Sequence, residues 1–327
     1  MFDCVIKGGT VIDGSGAPGR RADLGISGGR IAAIGDLEDG ATKTISAEGL
    51  VVAPGFVDVH THYDAQVFWD RGLTPSSVHG VTTAVGGNCG FSIAPLTDEG
   101  GEYLMQMLAR VEGMPLESLR QGCPWDWRSF GDYLDALDGE LAINAGFLVG
   151  HCAIRRAAMG ERSVGEKATE EDLVAMEAIL HESLKGGGLG FSSTWAPTHN
   201  DGDGNPVPSR HADREELLRL CRVTGEHEGT TLEFIPAVGE FSEDIQDLMA
   251  SMSREADRPL NWNVLTVQSF MPDMYRRQLE ASDYARDHGG RVVALSLPQV
   301  MSLRLNLTSG FIFDALPEWA PVLALPM

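Results

Sequence analysis

The chain has 327 residues, 43% of them hydrophobic and 22% charged, enough to bury a large core in one big α/β domain or two smaller ones. Lysine and arginine total 25 against 47 aspartates and glutamates, a formal charge of −22, which repels phosphate backbones and anionic lipid and argues against a nucleic-acid binder or a membrane-surface protein. The 39 glycines and 16 prolines are scattered along the chain, which excludes collagen and low-complexity disorder.

Apolar runs fall far short of the ~20 residues of a spanning helix. The N-terminus, MFDCVIKGG, reads as a strand and lacks the basic start and apolar stretch of a signal peptide. Five cysteines (Cys4, Cys89, Cys123, Cys152 and Cys221) are too few and too spread for a disulfide scaffold. A reducing, cytoplasmic setting is the expectation.

The first 54 residues read as a small β-domain without helices. Phe2–Ile6 and Thr10–Ile12 are strands separated by a turn at Gly8–Gly9. Ala22–Ile26 and Arg30–Ile34 form a hairpin about Gly28–Gly29, and Thr42–Ile45 and Leu50–Ala53 follow. From Pro54 the pattern changes to alternating strand and helix. Candidate strands are Phe56–Val59, Thr82–Val85, Ala142–Val149, Gly188–Ser192, Thr230–Ile235, Leu260–Val267 and Arg291–Leu297, most of them apolar runs bounded by glycine or proline. Glu170–Lys185 carries a helical stripe of Leu173, Met176, Ile179, Leu180 and Leu184 after a possible cap, Thr169. Asp213–Glu228 and Pro272–His288 behave likewise.

Repeated β-α units imply a parallel sheet with right-handed crossovers, here a (β/α) barrel over residues 55–327 preceded by the β-domain of residues 1–54. A closed barrel takes eight strands. Seven are read, and the apolar, irregular Ser309–Met327 tail offers no eighth. The barrel is therefore expected to lack its last strand.

The sharpest chemical feature is GFVDVHTHYD at Gly55–Asp64. Side chains alternate along a strand, so His60 and His62 face the same way. At the C-terminal end of the first barrel strand both imidazoles can reach one metal ion. A pair of buried core histidines is the plainer alternative, but the Pro-Gly entry and apolar strand before the pair favour a metal.

IKGGTVIDGSG in the β-rich opening, followed by VVAPGFVDVHTH, resembles the amidohydrolase superfamily of metal-dependent hydrolases. GGNCGFSIAPL at Gly86–Leu96 is similar to its N-acyl-D-amino-acid deacylase (D-aminoacylase) branch. The resemblance is close over Phe2–Leu96 and loose over the rest. It implies a small β-sandwich, incomplete without a C-terminal portion, before a TIM-like (β/α)8 barrel. It also implies one or two Zn²⁺ ions, with Cys89 matching a cysteine ligand at the end of the second strand. A thiolate is a strong zinc ligand; a small buried cysteine in a glycine-rich bend is the alternative.

Further along, the resemblance implies histidine ligands from the fifth and sixth strands. Here those strands read GTTLEFIPAVGEF and PLNWNVLTV, without histidine. Glu233 offers a carboxylate to a metal, or makes a buried ion pair or hydrogen bond; Asn261 and Asn263 offer only amides, poor ligands for zinc. His151 and Arg155 in GHCAIR, and Ser193 and Trp195 in GGGLGFSSTWAP, match pocket segments of the branch and are candidate substrate contacts, with structural roles as the alternative. An aspartate base at the end of the eighth strand, expected from the resemblance, has no counterpart here.

Asp201–Asn205 starts like a calcium loop but has Pro206 where the turn glycine belongs and Ala212 where the bidentate glutamate belongs. No G-x-S-x-G elbow or P-loop is present. The reading is a metal-dependent hydrolase of non-peptide amide bonds, acting on a small N-acyl amino acid or related amide, with little activity expected of residues 1–327 alone. A degraded, ligand-binding or partner-binding relative is the rival, and a cyclic-amide hydrolase of the dihydroorotase or hydantoinase type the second. Oligomeric state is not legible.

Overall fold

One long strand, β1 (Phe2–Val11), organises the N-terminal unit. The computed structural model describes residues 1–38, 40–297, 299–302, 313, 316 and 318–323, and the chain divides into two units, Met1–Phe56 and Val57–Met327. β2 (Arg20–Ser27) pairs antiparallel with β1 and with β3 (Arg30–Gly35). The β2–β3 turn uses Gly28 and Gly29 at φ 57° and 71°, values that favour glycine and suit a two-residue hairpin. β4 (Ala41–Ser46) and β5 (Val51–Val52) run parallel to β1 along its other edge.

The turn expected at Gly8–Gly9 is not there. β1 runs through both glycines, with a register shift between Ile6 and Gly9. Gly8 has φ +72°, and a Cβ on Gly9 would meet Val52 Cγ2 at 2.5 Å. The pair serves a bulge and the close approach of β5, not a chain reversal. β1 is long enough to pair on both edges, and the strands of this unit join in one hydrogen-bonded five-stranded sheet.

In the second unit, β6 (Phe56–Asp58), β7 (Val81–Gly86) and β8 (Asn144–Phe147) form a three-stranded sheet. β9 (Val149–Gly150), β10 (Gly190–Thr194), β11 (Thr231–Ile235), β12 (Leu260–Leu265) and β13 (Val292–Ser296) form a five-stranded one, its strands in chain order. Pairing is parallel from β7 to β8 and from β9 through β13. Only Leu148 separates β8 from β9, so one barrel strand serves both sheets. All seven strand regions read from the sequence are present. The tail that bears on an eighth lies mostly outside the described residues.

Helices fill the connections: α1 (Thr74–Ser77), then α2 (Gly100–Val111), α3 (Leu116–Gly122) and α4 (Phe130–Asp135), then α5 (His151–Met159), α6 (Glu170–Lys185), α7 (Arg214–Gly225), α8 (Glu243–Ala256) and α9 (Met274–Asp287). The stripe on α6 buries Met176, Leu180 and Leu184. Thr169 caps that helix: its Oγ1 accepts from Asp172 N, and Asp172 Oδ2 accepts from Thr169 N at 2.9 Å. Asp213 caps α7, its Oδ1 accepting from Glu216 N at 3.1 Å. Phe91, Phe191, Phe234 and Trp262 lie in the core. Strand-helix alternation in parallel order is the wall of a (β/α) barrel. Among the described residues no helix is long and apolar enough to cross a membrane.

Candidate metal centre

The segment after β6 is tied to β7 by Thr61, whose backbone N–H and side-chain hydroxyl both donate to Val85 O at 2.9 Å. His60 and His62 flank this anchor on one side, their rings edge-on with centroids 5.2 Å apart. Cys89 lies in the bend after β7. It adopts φ 58°, with Gly87 at 72° two residues before it and Gly90 at 77° next to it, left-handed positions that glycine takes without strain. A Cβ on Gly87 would also meet Leu148 O at 2.0 Å.

Five side chains hold this bend. Asn88 Nδ2 donates to Val85 O at 3.0 Å and Thr61 O at 3.2 Å. Asp64 Oδ2 accepts from Gly87 N at 3.0 Å. Ser92 Oγ accepts from Gly150 N at 2.8 Å. Ser192 Oγ accepts from Gly90 N at 3.0 Å and donates to Gly87 O. Glu233 Oε2 accepts from Cys89 N at 2.7 Å, and its Oε1 accepts from Asn263 Nδ2 at 2.7 Å.

Cys89 Sγ lies 3.4 Å from His60 Nε2 and 3.7 Å from His62 Nε2, and the three ligand atoms all fall within 4.8 Å of one another. Tetrahedral zinc with ordinary Zn–N and Zn–S bonds sets ligand atoms ~3.4–3.6 Å apart. Burial drives the His60 pKa down to about 3, with the neighbouring His62 adding to the effect, and burial drives His62 down to about 4. Both rings are thus neutral, as metal ligation requires. Burial, then the Glu233 charge, pushes the Cys89 thiol well up; a cation among these donors reverses that preference. Two imidazole nitrogens and a thiol sulfur aimed at one point fit zinc.

Glu233 points its carboxylate at the Cys89 backbone and at Asn263 rather than joining the three donors. It is buried, and burial raises its pKa to about 8. His151, Arg155 and Ser193 are each fully buried. His151 Nδ1 meets Ser193 Oγ at 2.8 Å and its Nε2 meets Glu216 Oε1 at 2.8 Å. Arg155 Nε donates to Glu216 Oε1 at 2.6 Å, and its other donors reach the carbonyls of Ser163, Pro208 and Glu166. These three residues form a closed internal network with no surface left for a ligand. His151, Arg155 and Ser193, expected as substrate contacts, spend their polar atoms within this network. Trp195 stacks edge-on against Phe234 at 5.8 Å, with a buried, unpartnered indole N–H among the described residues.

Four residues near the donors were not legible beforehand. Ser192, one position from the expected Ser193, is the serine that reaches the Cys89 bend. His199 sits buried beside Phe91, ring centroids 4.9 Å apart, and its Nδ1 pairs with Thr194 Oγ1 at 2.8 Å. Asp64 and Glu112 add carboxylates; Glu112 Oε1 lies 3.5 Å from His62 Nε2.

The Amidohydrolase family model matches residues 43–304, and the chain belongs to that family. Within it, the chain is 40% identical over 261 residues to the D-aminoacylase of Alcaligenes xylosoxydans xylosoxydans, covering 79% of this chain and 49% of that protein. A crystal structure of D-aminoacylase superposes with a TM-score of 0.75 at 34% identity, over 92% of this chain and 59% of that one. An N-acyl-D-glutamate deacylase from Bordetella bronchiseptica, complexed with zinc and a phosphonate inhibitor, gives a TM-score of 0.71 at 31% identity, over 91% and 59% of the two chains. The chain thus spans about half the length of the curated D-aminoacylase it matches.

Proposed function

We propose that this protein is a metal-dependent hydrolase of amide C–N bonds, with N-acyl-D-amino acids as its substrate class. The observation that carries the reading is the convergence of His60 Nε2, His62 Nε2 and Cys89 Sγ within 4.8 Å. The D-aminoacylase and deacylase relatives support the substrate class and its D-configuration.

His60, His62 and Cys89 would hold the ion, and a zinc ion, one or two per chain, supplies Lewis acidity toward an amide carbonyl and toward water. The chain's own residues prepare the place. Burial keeps both imidazoles neutral. Glu233 and Ser192 fix the backbone on which the thiol is carried. A bend held at this many points fixes the donors before any ion arrives, as a functional site requires.

One observation favours the rival reading of a ligand-binding relative without turnover: Glu233 and Asn263 bond to each other on the strands where the resembling branch carries histidines. The test is hydrolysis of N-acetyl-D-amino acids and their L-enantiomers by zinc-loaded protein, with Cys89→Ala alongside. Turnover of the D-series that Cys89→Ala abolishes supports the enzyme. Zinc retention without turnover of either series supports the binding protein.

A further inference from the structure

We propose that Glu112 is a further residue of this metal centre, bringing a carboxylate to the ion on the His62 side. The proposal rests on the reading of His60, His62 and Cys89 as the metal-holding set and adds a fourth residue to it.

Glu112 caps the C-terminus of α2, its backbone N–H bonded to Leu108 O at 2.9 Å. From there its side chain reaches His62. Glu112 Oε1 is 3.5 Å from His62 Nε2, and the same nitrogen is 3.7 Å from Cys89 Sγ. His62 Nε2 therefore has a sulfur and a carboxylate oxygen at nearly equal range. Oxygen and nitrogen ligands on one tetrahedral zinc ion stand ~3.4 Å apart, given Zn–O and Zn–N bonds near 2.0–2.2 Å. The oxygen thus already lies at ligand spacing from one member of the set, just outside the three donors that fall within 4.8 Å of one another.

Charge points the same way. The side chains of His62 and Glu112 are 19% and 20% exposed, so the pair is largely shielded from water. A dication held by two neutral imidazoles and one thiolate keeps a net charge of +1, which is costly to bury. One carboxylate brings that sum to zero. A glutamate at a helix end lies outside any strand-borne ligand pattern, so only the tertiary contact reveals it.

The experiment titrates metal-free full chain with zinc against a chromophoric chelator, and with cobalt(II) followed by visible absorption. Wild type is compared with Glu112→Gln and Glu112→Ala, and with Glu117→Gln as an exposed acidic control on α3. Thermal melting of each metal-free protein checks folding; Glu112→Gln, nearly isosteric, decides if the alanine variant fails to fold. The expected result is zinc affinity at least about tenfold weaker in both Glu112 variants, with an altered cobalt spectrum and unchanged metal-free melting, and a control identical to wild type. Wild-type affinity and spectrum in both Glu112 variants would overturn the proposal alone. Absence of metal uptake by wild type would overturn the underlying reading and this one with it.

Discussion

The carboxylate of Glu233 accepts a hydrogen bond from the backbone N–H of Cys89 at 2.7 Å, joining residues 144 positions apart in the chain. Its second oxygen accepts from Asn263 Nδ2 at the same distance. The fifth strand therefore acts on the donor cluster through its backbone, while Asn263 of the sixth strand also reaches Cys89 Sγ, at 4.0 Å. Glu233, which the sequence offers as a ligand, hydrogen-bonds the bend and stands outside the three converging donors.

Replacing Glu233 should loosen the donors without removing any of them. Glu233→Gln keeps one acceptor oxygen for two donors, so one buried hydrogen bond is lost, at about 1–3 kcal/mol. Zinc affinity should fall about 10–100-fold, the usual effect of deleting a partner outside the ligands themselves. Denaturant unfolding of the metal-free protein and chelator competition measure the two effects. A variant with wild-type zinc affinity would show that Cys89 is positioned without Glu233.

Arg155 offers a different kind of test. Burial alone would raise the Glu216 carboxyl, but its bonds to His151 and Arg155 prevail and hold it below its ordinary value. Arg155→Met leaves that carboxylate buried without its cation, and breaking such a pair costs about 3–5 kcal/mol. The expected signature is a large drop in unfolding free energy. A variant of normal stability with a raised KM would restore Arg155 as a substrate contact.

The helix cap on α6 should show in the pH dependence of stability. Bonds from the Arg162 guanidinium, above all, hold Asp172 down to about 2. A carboxyl depressed in the folded state stabilises it above the unfolded pKa of ~3.9 and loses that contribution as pH falls toward the folded value. Asp172→Asn should therefore be less stable than wild type at pH 7, by about 1 kcal/mol for the weakened cap. The gap should close between about pH 4 and pH 2, measured by urea unfolding at a series of pH values. A gap independent of pH would rule out the charge as its source.

Much of this was legible in sequence because the signals were local. Apolar runs, most of them bounded by glycine or proline, marked the barrel strand regions, and Thr169 and Asp213 marked helix starts. Alternation along a strand placed His60 and His62 on one side. Three features were not local. Gly8–Gly9 carries the same letters as a hairpin turn, and only the approach of Val52 shows it to be a bulge. Ser192 and Ser193 point to opposite sides of β10, so a one-residue uncertainty in register exchanged their roles. The burial of Arg155 depends on Glu216, which arrives from α7.

An ion held by His60, His62 and Cys89 has a defined signature in X-ray absorption at the zinc edge of the zinc-loaded chain: one sulfur neighbour at ~2.3 Å with nitrogen neighbours at ~2.0–2.1 Å, and loss of the sulfur signal in Cys89→Ala. A shell of nitrogen and oxygen alone in the wild-type protein, or a sulfur signal that survives Cys89→Ala, would contradict it.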